Sequence, residues 1–195
     1  MKKLNGTNTA VNLMKSFAGE SQARNRYTFF ASVAKKEGYI QIAKIFEETA
    51  AQEKEHGERF YKFLKDDFSN ETIEITASFP VALHTSTVEN LKSAAAGENE
   101  EWVDLYPKFA KVAREEGFLA IAAAFENIAT VEKWHEDRYL KLAKNIETSK
   151  VFKKDEVNMW QCQNCGYIYE GEEAPTVCPA CIHPQGYFKI FTQDY

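Results

Sequence analysis

The segment AAQEKEH at Ala50–His56 decides the fold, because the chain repeats it as ATVEKWH at Ala129–His135. Each copy carries a glutamate and, three residues later, a histidine. The two pairs, Glu53 with His56 and Glu132 with His135, are separated by one offset (132 − 53 and 135 − 56 both equal 79). Residues three apart on a helix point the same way, so each pair can bind one metal ion. Two such helices facing each other predict a site for two metal ions, and hence an enzyme.

The repeat extends upstream of this motif. VAKKEGY at Val33–Tyr39 matches VAREEGF at Val112–Phe118, again at an offset of 79 residues. AGE at Ala18–Glu20 matches AGE at Ala96–Glu98 at an offset of 78, so the second copy has gained one residue. The glycine near the end of each longer segment suits the left-handed residue that ends a helix. The repeating unit is therefore a helical hairpin, present twice.

Residues from about 9 to 147 predict helix, because Gly and Pro are sparse there and Ala, Glu, Lys and Leu are common. In the second and fourth helices a stripe of residues recurs at alternating spacings of four and three, as expected of a face in a bundle core. The stripe residues are Ile42, Phe46, Thr49, Glu53, His56, Phe60 and Phe63, and Ile121, Phe125, Ile128, Glu132, His135, Tyr139 and Leu142. Both Glu–His pairs fall inside these stripes, where charged residues are normally excluded.

The connection between the hairpins, from about 67 to 88, has no helical stripe. A helix of about 27 residues is about 40 Å long, and an extended connection of 20 residues reaches about 66 Å at most. The connection can therefore run the length of the bundle and start the third helix parallel to the second. The sequence thus predicts a mainly α fold, a four-helix bundle with one long crossover.

Composition argues against several classes of function. The net charge is −5, so nothing indicates a nucleic-acid-binding surface. No apolar run approaches about 18 residues, so we expect no membrane segment. The chain begins with MKKLNGTN, which turns polar at once and does not predict a signal peptide. We therefore expect a cytoplasmic protein.

Each hairpin also has a lone glutamate on its first helix, Glu20 or Glu98. These two glutamates and the glutamates of the two Glu–His pairs, Glu53 and Glu132, all lie near the middle of their helices. An antiparallel bundle would therefore bring the four carboxylates to one level in a dry core. Glu101, three residues after Glu98, would bring the formal charge of the cluster to −5. Burial of even one unpaired carboxylate is costly, so the cluster requires two divalent metal ions or greatly raised pKa values. Oxygen donors with two imidazoles favour iron or manganese.

Tyr27 and Tyr106 correspond to each other in the repeat and lie about two turns after the lone glutamates. Each could donate a hydrogen bond to a metal-bound carboxylate or supply a proton, or could simply pack with its hydroxyl satisfied. Pro107 interrupts the third helix just beyond them, and its missing N–H should kink the helix or force a bulge. We hypothesise that this distortion aims Glu98 and Glu101.

Two Cys-x-x-Cys pairs near the end of the chain, with twelve residues between them, predict a tetrahedral metal site formed by Cys162, Cys165, Cys178 and Cys181. Zinc is the commoner occupant of this pattern, and a redox-active iron is the alternative. Iron is favoured because a di-metal oxidation site needs an electron source. Nearby aromatic residues could shield such a centre: Trp160, Tyr167, Tyr169, Tyr187 and Phe188. A short charged linker, about 148 to 158, separates this region from the helices.

Together these motifs resemble the rubrerythrin family, whose first helix is similar to AGESQARNRY at Ala18–Tyr27. The resemblance covers essentially the whole chain, and no ligand is missing. It implies a ferritin-like bundle over residues 1–148 and a small rubredoxin-like domain of strands, loops and metal knuckles over residues 158–195. The ligand roles implied are bridging for Glu53 and Glu132, terminal for Glu20, Glu98 and His135, and exchangeable with oxidation state for Glu101 and His56.

The resemblance also implies a function. It predicts a non-haem peroxidase that reduces hydrogen peroxide to water, with three iron ions per chain, two in the carboxylate site and one on the four cysteines. An external donor, rubredoxin or an NAD(P)H-dependent reductase, would supply electrons, and a homodimer would let the small domain serve the bundle of the other subunit. Two alternatives stay open at this point: an iron-handling ferroxidase, and a zinc-ribbon-bearing binding module without catalysis.

Overall fold

The computed structural model describes residues 3–193 and contains the two predicted helical hairpins. The first consists of α1 (Asn8–Lys36) and α2 (Ile40–Leu64). The second begins with one continuous helical stretch, which comprises α3 (Thr87–Glu100), a π-helical turn (Glu101–Leu105) and α4 (Tyr106–Glu115). It ends with α5 (Leu119–Glu147). Residues 1, 2, 194 and 195, at the outer ends of the two predicted domains, lie outside the described residues.

Both hairpins turn at the predicted glycines. Gly38 and Gly117 have φ angles of 85° and 83°, which a residue without a Cβ adopts at little cost. In each turn the N–H after the glycine donates back to the helix, from Tyr39 to the Ala34 carbonyl at 2.8 Å and from Phe118 to the Ala113 carbonyl at 2.7 Å. These bonds satisfy carbonyl groups at the helix end, so the prediction of glycine caps is confirmed.

The crossover also follows the prediction. Residues 65–86, all of which the structure describes, contain no helix or strand. At their end, the first backbone N–H of α3 (Thr87) donates to the carboxylate of Glu37 at 2.6 Å, in the turn between α1 and α2. The third helix therefore starts at the end of the bundle where α2 starts, and it runs parallel to α2.

Glu116 makes the corresponding contact at the opposite end of the bundle. Its carboxylate accepts from the backbone N–H groups of Asn8 at 3.1 Å and Thr9 at 2.8 Å, at the start of α1. Glu116 follows Glu37 by 79 residues, and Thr87 follows Thr9 by 78, so the two contacts are related by the repeat. Each hairpin turn thus caps the first helix of the other hairpin, which fixes how the two hairpins meet.

The predicted distortion at Pro107 is a bulge. The π-helical turn Glu101–Leu105 lies directly before α4, whose second residue is Pro107. A wider turn at this point accommodates a residue that has no N–H to donate and whose ring would clash with a preceding carbonyl. The bulge begins at Glu101, three residues after Glu98. That it aims both residues at metal stays a prediction.

Two apolar clusters fill the bundle on either side of the glutamate level. One contains Phe30 and Phe46, and the other contains Phe60 and Phe125; all four side chains are fully buried. Along α1, Leu13 belongs to one cluster and Ala23 to the other, so that Glu20 lies between them. The polar level is therefore enclosed by apolar packing along the bundle axis. No helix within residues 3–193 is long and apolar enough to cross a membrane.

The cysteine region forms a three-stranded antiparallel sheet in the order β2-β1-β3, with β1 at Lys153–Cys162, β2 at Ile168–Glu173 and β3 at Phe188–Ile190. It packs against the turn of the first hairpin, where the Tyr39 and Phe152 rings stack with centroids 6.1 Å apart. A Cβ on Gly186 would lie 2.0 Å from the Gly38 carbonyl oxygen, so only glycine permits this approach. The division into independent domains at 148 and 158 stays a prediction.

Candidate metal centres

The glutamates and histidines of both hairpins converge in the middle of the bundle. Two groups of ligand atoms form there, each with its atoms within 4.8 Å of one another, and together they form what we call the cage. One group comprises Glu20, Glu53, His56 and Glu132, and the other comprises Glu53, Glu98, Glu132 and His135. Glu53 and Glu132 belong to both groups, which is the arrangement that two ions sharing a pair of bridging carboxylates would require.

The polar atoms of the cage are poorly satisfied by the protein itself. Buried oxygens of all four glutamates and Nδ1 of His135 have no hydrogen-bond partner among the described residues. The two Nδ1 atoms face these oxygens, that of His56 at 2.9 Å from Glu132 and that of His135 at 2.9 Å from the same residue. Buried polar groups without partners are costly, and a pair of cations at the centre of these donors would satisfy them all. The residues therefore fit a di-metal site.

Each hairpin supplies a tyrosine that bonds to the lone glutamate of the other hairpin. The Tyr27 hydroxyl donates to Glu98 at 2.6 Å, and the Tyr106 hydroxyl donates to Glu20 at 2.5 Å. Burial, followed by the charge of the nearby glutamates, raises the pKa of both phenols well above the usual value. Both tyrosines are thus neutral donors at physiological pH, and of the two predicted roles the structure shows the hydrogen bond to a carboxylate.

Without metal, some glutamates of the cage favour the protonated form and Glu132 favours the ionised form. Burial and the neighbouring carboxylates raise the pKa of Glu20 and Glu98 well above the usual range. Burial also raises the pKa of Glu132, but contact with His135 and His56 outweighs it and holds that pKa below its usual value. Burial opposes the charge on His56 and His135, yet Glu132 and Glu53 raise their pKa values to about 10 and about 9. The metal-free cage therefore depends on bound protons for charge balance.

The four cysteines converge in a second, separate site. The Sγ atoms of Cys162 and Cys181 are 3.7 Å apart, as are those of Cys165 and Cys178, and no disulfide forms among them. Sulfur atoms bound to one tetrahedral ion at about 2.3 Å lie at about this separation. A hydrogen bond from the backbone N–H of His183 lowers the pKa of Cys181 to about 6, which favours the thiolate that binds metal.

The two knuckles have the same backbone form. Gly166 and Ile182 each donate an N–H to the carbonyl of the first cysteine of their pair, at 2.9 Å in both cases. Both residues have positive φ, 80° for Gly166 and 60° for Ile182. Of the aromatic residues predicted to shield the site, Trp160 and Phe188 are buried beside Cys162, and Tyr167 and Tyr187 pack against this cluster. Tyr169 does not, since it is 38% exposed.

Family models match both parts of the chain. The rubrerythrin model matches residues 12–143, and the model described as "Rubrerythrin, rubredoxin-like domain" matches residues 160–189. A rubrerythrin of Clostridium perfringens is 63% identical over the full length of both chains. The chain belongs to the rubrerythrin family.

Other rubrerythrin-family proteins are similar over almost the whole chain. A rubrerythrin of Nitratidesulfovibrio vulgaris is 48% identical over 97% of each chain. The solved structure of partially reduced nigerythrin is 32% identical, covers 97% of this chain and 92% of its own, and superposes with a TM-score of 0.62. The bacterioferritin BfrA of Mycobacterium tuberculosis, at 15% identity and a TM-score of 0.64 over 75% of this chain and 90% of its own, shows the fold alone.

The fold and the metal centres of this rubrerythrin-family chain follow from these observations. It is a ferritin-like four-helix bundle with a small rubredoxin-like region of strands at its C-terminal end. Its cofactors are a di-iron site of carboxylates and histidines in the bundle and a metal bound by the four-cysteine site. Which glutamates and histidines bind each iron stays a prediction, and the seven predicted ligands are the six residues of the cage and Glu101.

Glu101 lies outside both groups of ligand atoms. It begins the π-helical turn and faces a cavity of about 280 Å³ between α1, this turn and the crossover segment Thr76–Pro80. Its Oε1 would lie 3.8 Å from a Cβ placed on Gly19, and Gly19 adjoins Glu20. Burial, then the charges of Glu132 and Glu53, raises the pKa of Glu101 well above its usual value. Glu101 is thus placed beside the His56 group rather than within it.

Sequence reasoning missed the residues that support the ligands from behind. The side-chain oxygen of Gln52 lies 3.0 Å from Nε2 of His135. Glu136 accepts from the Trp102 indole at 2.6 Å and from the Asn99 amide at 3.1 Å, which ties the helix of His135 to that of Glu98. For Gln52, the repeat offered a signal in the sequence. The corresponding residue of the second copy, 79 positions later, is Val131, so the two copies differ at this position.

Proposed function

We propose that this protein is a peroxidase that reduces hydrogen peroxide to water. The observation that carries the proposal is the presence, in one chain, of an enclosed carboxylate and histidine cage and a four-thiolate site. When bound, the cage irons supply two electrons to peroxide, and an iron on the four thiolates carries electrons one at a time to restore them. Storage or transport of iron would need the first site but has no use for the second.

The reaction consumes two protons for each peroxide, and the two tyrosines of the cage are placed to supply them. Tyr27 and Tyr106 keep their phenolic protons because burial raises their pKa values, and each directs its O–H at a carboxylate. Either phenol can pass its proton along that hydrogen bond towards the cage. The catalytic residues proposed are Glu20, Glu53, His56, Glu98, Glu101, Glu132, His135, Tyr27 and Tyr106.

The cavity beside Glu101 is the proposed route for the substrate. Gly19, Glu101 and Tyr106 line its inner side, and Phe79 and Pro80 of the crossover lie across it. At about 280 Å³ it is large for a molecule of two oxygen atoms, so peroxide can enter with its hydration water. The absence of a side chain at Gly19 keeps the passage open, because a Cβ there would meet Glu101 at 3.8 Å and Phe79 at 4.0 Å.

Replacing Gly19 with leucine tests this route. Gly19→Leu is expected to fill the cavity and to slow oxidation of the reduced protein by peroxide at least tenfold, with the iron content unchanged. Gly19→Ala is the matched control, because its methyl group would make only ordinary van der Waals contacts. The measurement is stopped-flow absorption with iron analysis of each variant. Equal rates for the leucine variant and the unaltered protein would exclude the cavity as the route.

A homodimer is proposed as the working form. The four-cysteine region packs on the turn that contains Tyr39, and Glu53 lies 14 residues further along α2, about 21 Å from that turn. The cage of the same chain is thus remote from its own thiolate site, which supports electron delivery to the bundle of a second subunit. The external donor proposed is rubredoxin or an NAD(P)H-dependent reductase. A metal site of four thiolates needs reduced cysteines, which persist in a reducing compartment, and we propose the cytoplasm.

The decisive experiment mixes the fully reduced protein rapidly with peroxide or with oxygen. We expect oxidation by peroxide to be far faster than by oxygen at equal concentration, followed by the appearance of the red colour of thiolate-bound ferric iron. Absence of that preference would overturn the peroxidase proposal. Iron uptake beyond about three ions per chain would instead indicate an iron-handling protein, and a colourless zinc-filled cysteine site would indicate a binding module.

A further inference from the structure

The two histidines of the cage differ in the hydrogen bonding of Nε2, the ring nitrogen that points away from the glutamates. Nε2 of His135 lies 3.0 Å from Oε1 of Gln52. An amide oxygen only accepts hydrogen bonds, so Nε2 carries a proton whether the ring is charged or neutral, and in the metal-loaded protein Nδ1 of the neutral ring is the nitrogen that would face the ion. That Nδ1 is 2.9 Å from Glu132 and 3.2 Å from Glu53. The ring of His135 is therefore fixed from both sides.

His56 has no equivalent support. Its Nδ1 is 2.9 Å from both Glu53 and Glu132, but no residue in the described part of the chain accepts a hydrogen bond from its Nε2. Its side chain is 14% exposed, whereas that of His135 is 3% exposed. The position that the repeat relates to Gln52 is Val131, whose side chain cannot accept a hydrogen bond. The difference in support between the two histidines thus comes from a difference in sequence at one pair of repeat-related positions, Gln52 and Val131.

We propose that Gln52 is the positioning residue that fixes the tautomer and orientation of His135, and that Val131, at the equivalent position of the repeat, gives His56 no such partner. The His56 half of the cage also adjoins Glu101, whose oxygen lies next to the α1 turn that carries Glu20. The two histidines consequently differ in the support of their outer nitrogen although the ligand types of the two groups match. The proposal rests on the di-metal site assigned to the cage, but not on the substrate.

The role of Gln52 follows from the chemistry of such supporting contacts. A hydrogen bond to the outer nitrogen of a ligating histidine selects the tautomer, orients the ring and makes the coordinating nitrogen more basic. Loss of such a partner typically lowers metal affinity by about 10- to 100-fold. Because the two histidines are in different groups of ligand atoms, the loss of Gln52 should weaken one of the two ions and leave the other unchanged.

The test uses the full chain with Zn²⁺ in all metal sites, so that no redox chemistry enters. Nuclear magnetic resonance of ¹⁵N-histidine-labelled protein reports whether each ring N–H is protected from exchange with water. We expect one protected cage Nε2–H in the unaltered protein, none in Gln52→Leu, and one again in Gln52→Glu, which restores an acceptor. Val131→Gln, which adds an acceptor opposite His56, should give two.

Release of Zn²⁺ to a chelator provides the second measurement. In Gln52→Leu one cage ion should bind about 10- to 100-fold more weakly, while Gln52→Glu retains both. If Gln52→Leu keeps the protected N–H and both affinities, or if Val131→Gln gains no protected N–H while Zn²⁺ still fills the cage, the proposal is wrong. These outcomes do not involve peroxide, so failure of the peroxidase proposal in rapid mixing would be recognised separately.

Discussion

Tyr27 and Tyr106 show how single residues of one hairpin stabilise the charged groups of the other. Tyr27 on α1 donates to Glu98 on α3, and Tyr106 on α4 donates to Glu20 on α1. Both tyrosines are 1% exposed, so water cannot replace these hydrogen bonds. A hydrogen bond to a charged group contributes about 1.5 to 3 kcal/mol, more than a neutral one. At residue scale, the phenols are therefore part of the cage.

Replacement of Tyr27 by phenylalanine should slow the reaction with peroxide about tenfold or more. The variant loses one charge-assisted hydrogen bond and one neutral proton donor, and about 1.4 kcal/mol in the barrier corresponds to a tenfold change in rate. Stopped-flow oxidation of the reduced variant by peroxide measures the effect, with iron content checked. Tyr61→Phe is the control, because Tyr61 is 51% exposed and outside the cage. A Tyr27→Phe variant as fast as this control would contradict a role for the phenol.

Ile182 is the residue with the least favourable backbone in the cysteine site. Its φ of 60° lies in the left-handed region, where a β-branched side chain is disfavoured by about 1 to 2 kcal/mol. The first knuckle has glycine at the same position, Gly166, with φ of 80°. The Ile182 side chain is 81% exposed and so gains little from packing.

Ile182→Gly should therefore stabilise the iron-loaded site by about 1 kcal/mol, because it removes the Cβ that makes this conformation costly. Denaturant unfolding, followed by the visible absorption of the thiolate-bound iron, measures the change. Ile182→Ala keeps the Cβ and serves as the matched variant with little gain. If alanine and glycine stabilise the protein equally, the gain comes from the lost isoleucine side chain rather than from the backbone.

At the scale of elements, the two hairpins are joined end to end by their turns. Glu37 caps α3 and Glu116 caps α1, in each case through backbone N–H groups that the helix itself leaves without partners. Burial raises the pKa of Glu116, but the hydrogen bonds from Thr9 and Asn8 outweigh it and lower the pKa below its usual value. Its carboxylate therefore stabilises the fold above the unfolded pKa of 4.5, and this contribution is lost as the pH falls through the folded value.

Glu116→Gln should lower the free energy of unfolding by about 1 kcal/mol at neutral pH, the usual effect of losing a helix cap. The same change at Glu37 should have a similar effect, because the two caps are related by the repeat. Chemical denaturation followed by helical circular dichroism measures both. Glu115→Gln is the control, since that exposed side chain lies 3.9 Å from Lys111 and caps no helix. A loss in the control equal to that in Glu116→Gln would mean that general surface charge is responsible.

At the scale of the whole molecule, the metal and the bundle depend on each other. The cage lies between the two apolar clusters and takes ligands from both hairpins, so that ions bound there connect α1, α2, α3 and α5. Without ions the charge of the cage must be balanced by protons on His56 and His135 and on the glutamates whose pKa values are raised. Stability of the metal-free protein should consequently depend on pH in a way that the loaded protein does not share.

Removal of iron should produce a protein that becomes less stable as the pH rises from about 6.5 towards 10. Burial opposes protonation of the two histidines, but Glu132 and Glu53 raise their folded pKa values to about 10 and about 9, above the usual 6.5. The stability that these protons provide is complete below 6.5 and is lost as the pH rises through the folded values. Melting temperatures of metal-free and iron-loaded protein at pH 6 and 9 test this. A metal-free protein with equal melting temperatures at both values would contradict it.

The sequence by itself determined the repeat, the helical hairpins, the crossover and the ligand types, because these depend on local spacing. Glu53 and His56 are one helical turn apart whatever surrounds them, and Gly38 ends a helix for reasons of backbone geometry alone. The bulge before Pro107 was also predictable, since a missing N–H affects its own helix. The four-cysteine site was predictable because each Cys-x-x-Cys pair is formed locally, and only one contact between the two pairs is needed to complete the site.

Only the tertiary structure decided which residues of one hairpin contact the other. Tyr27 lies in the same helix as Glu20 yet bonds to Glu98, and Gln52 reaches across the bundle to His135. Glu101 matches the ligands in type, and the structure places it at the start of the π-helical turn and beside a cavity. Such pairings depend on the relative rotation and height of helices 70 or more residues apart, which side-chain packing and the two glutamate caps set, and no local spacing in the chain encodes them.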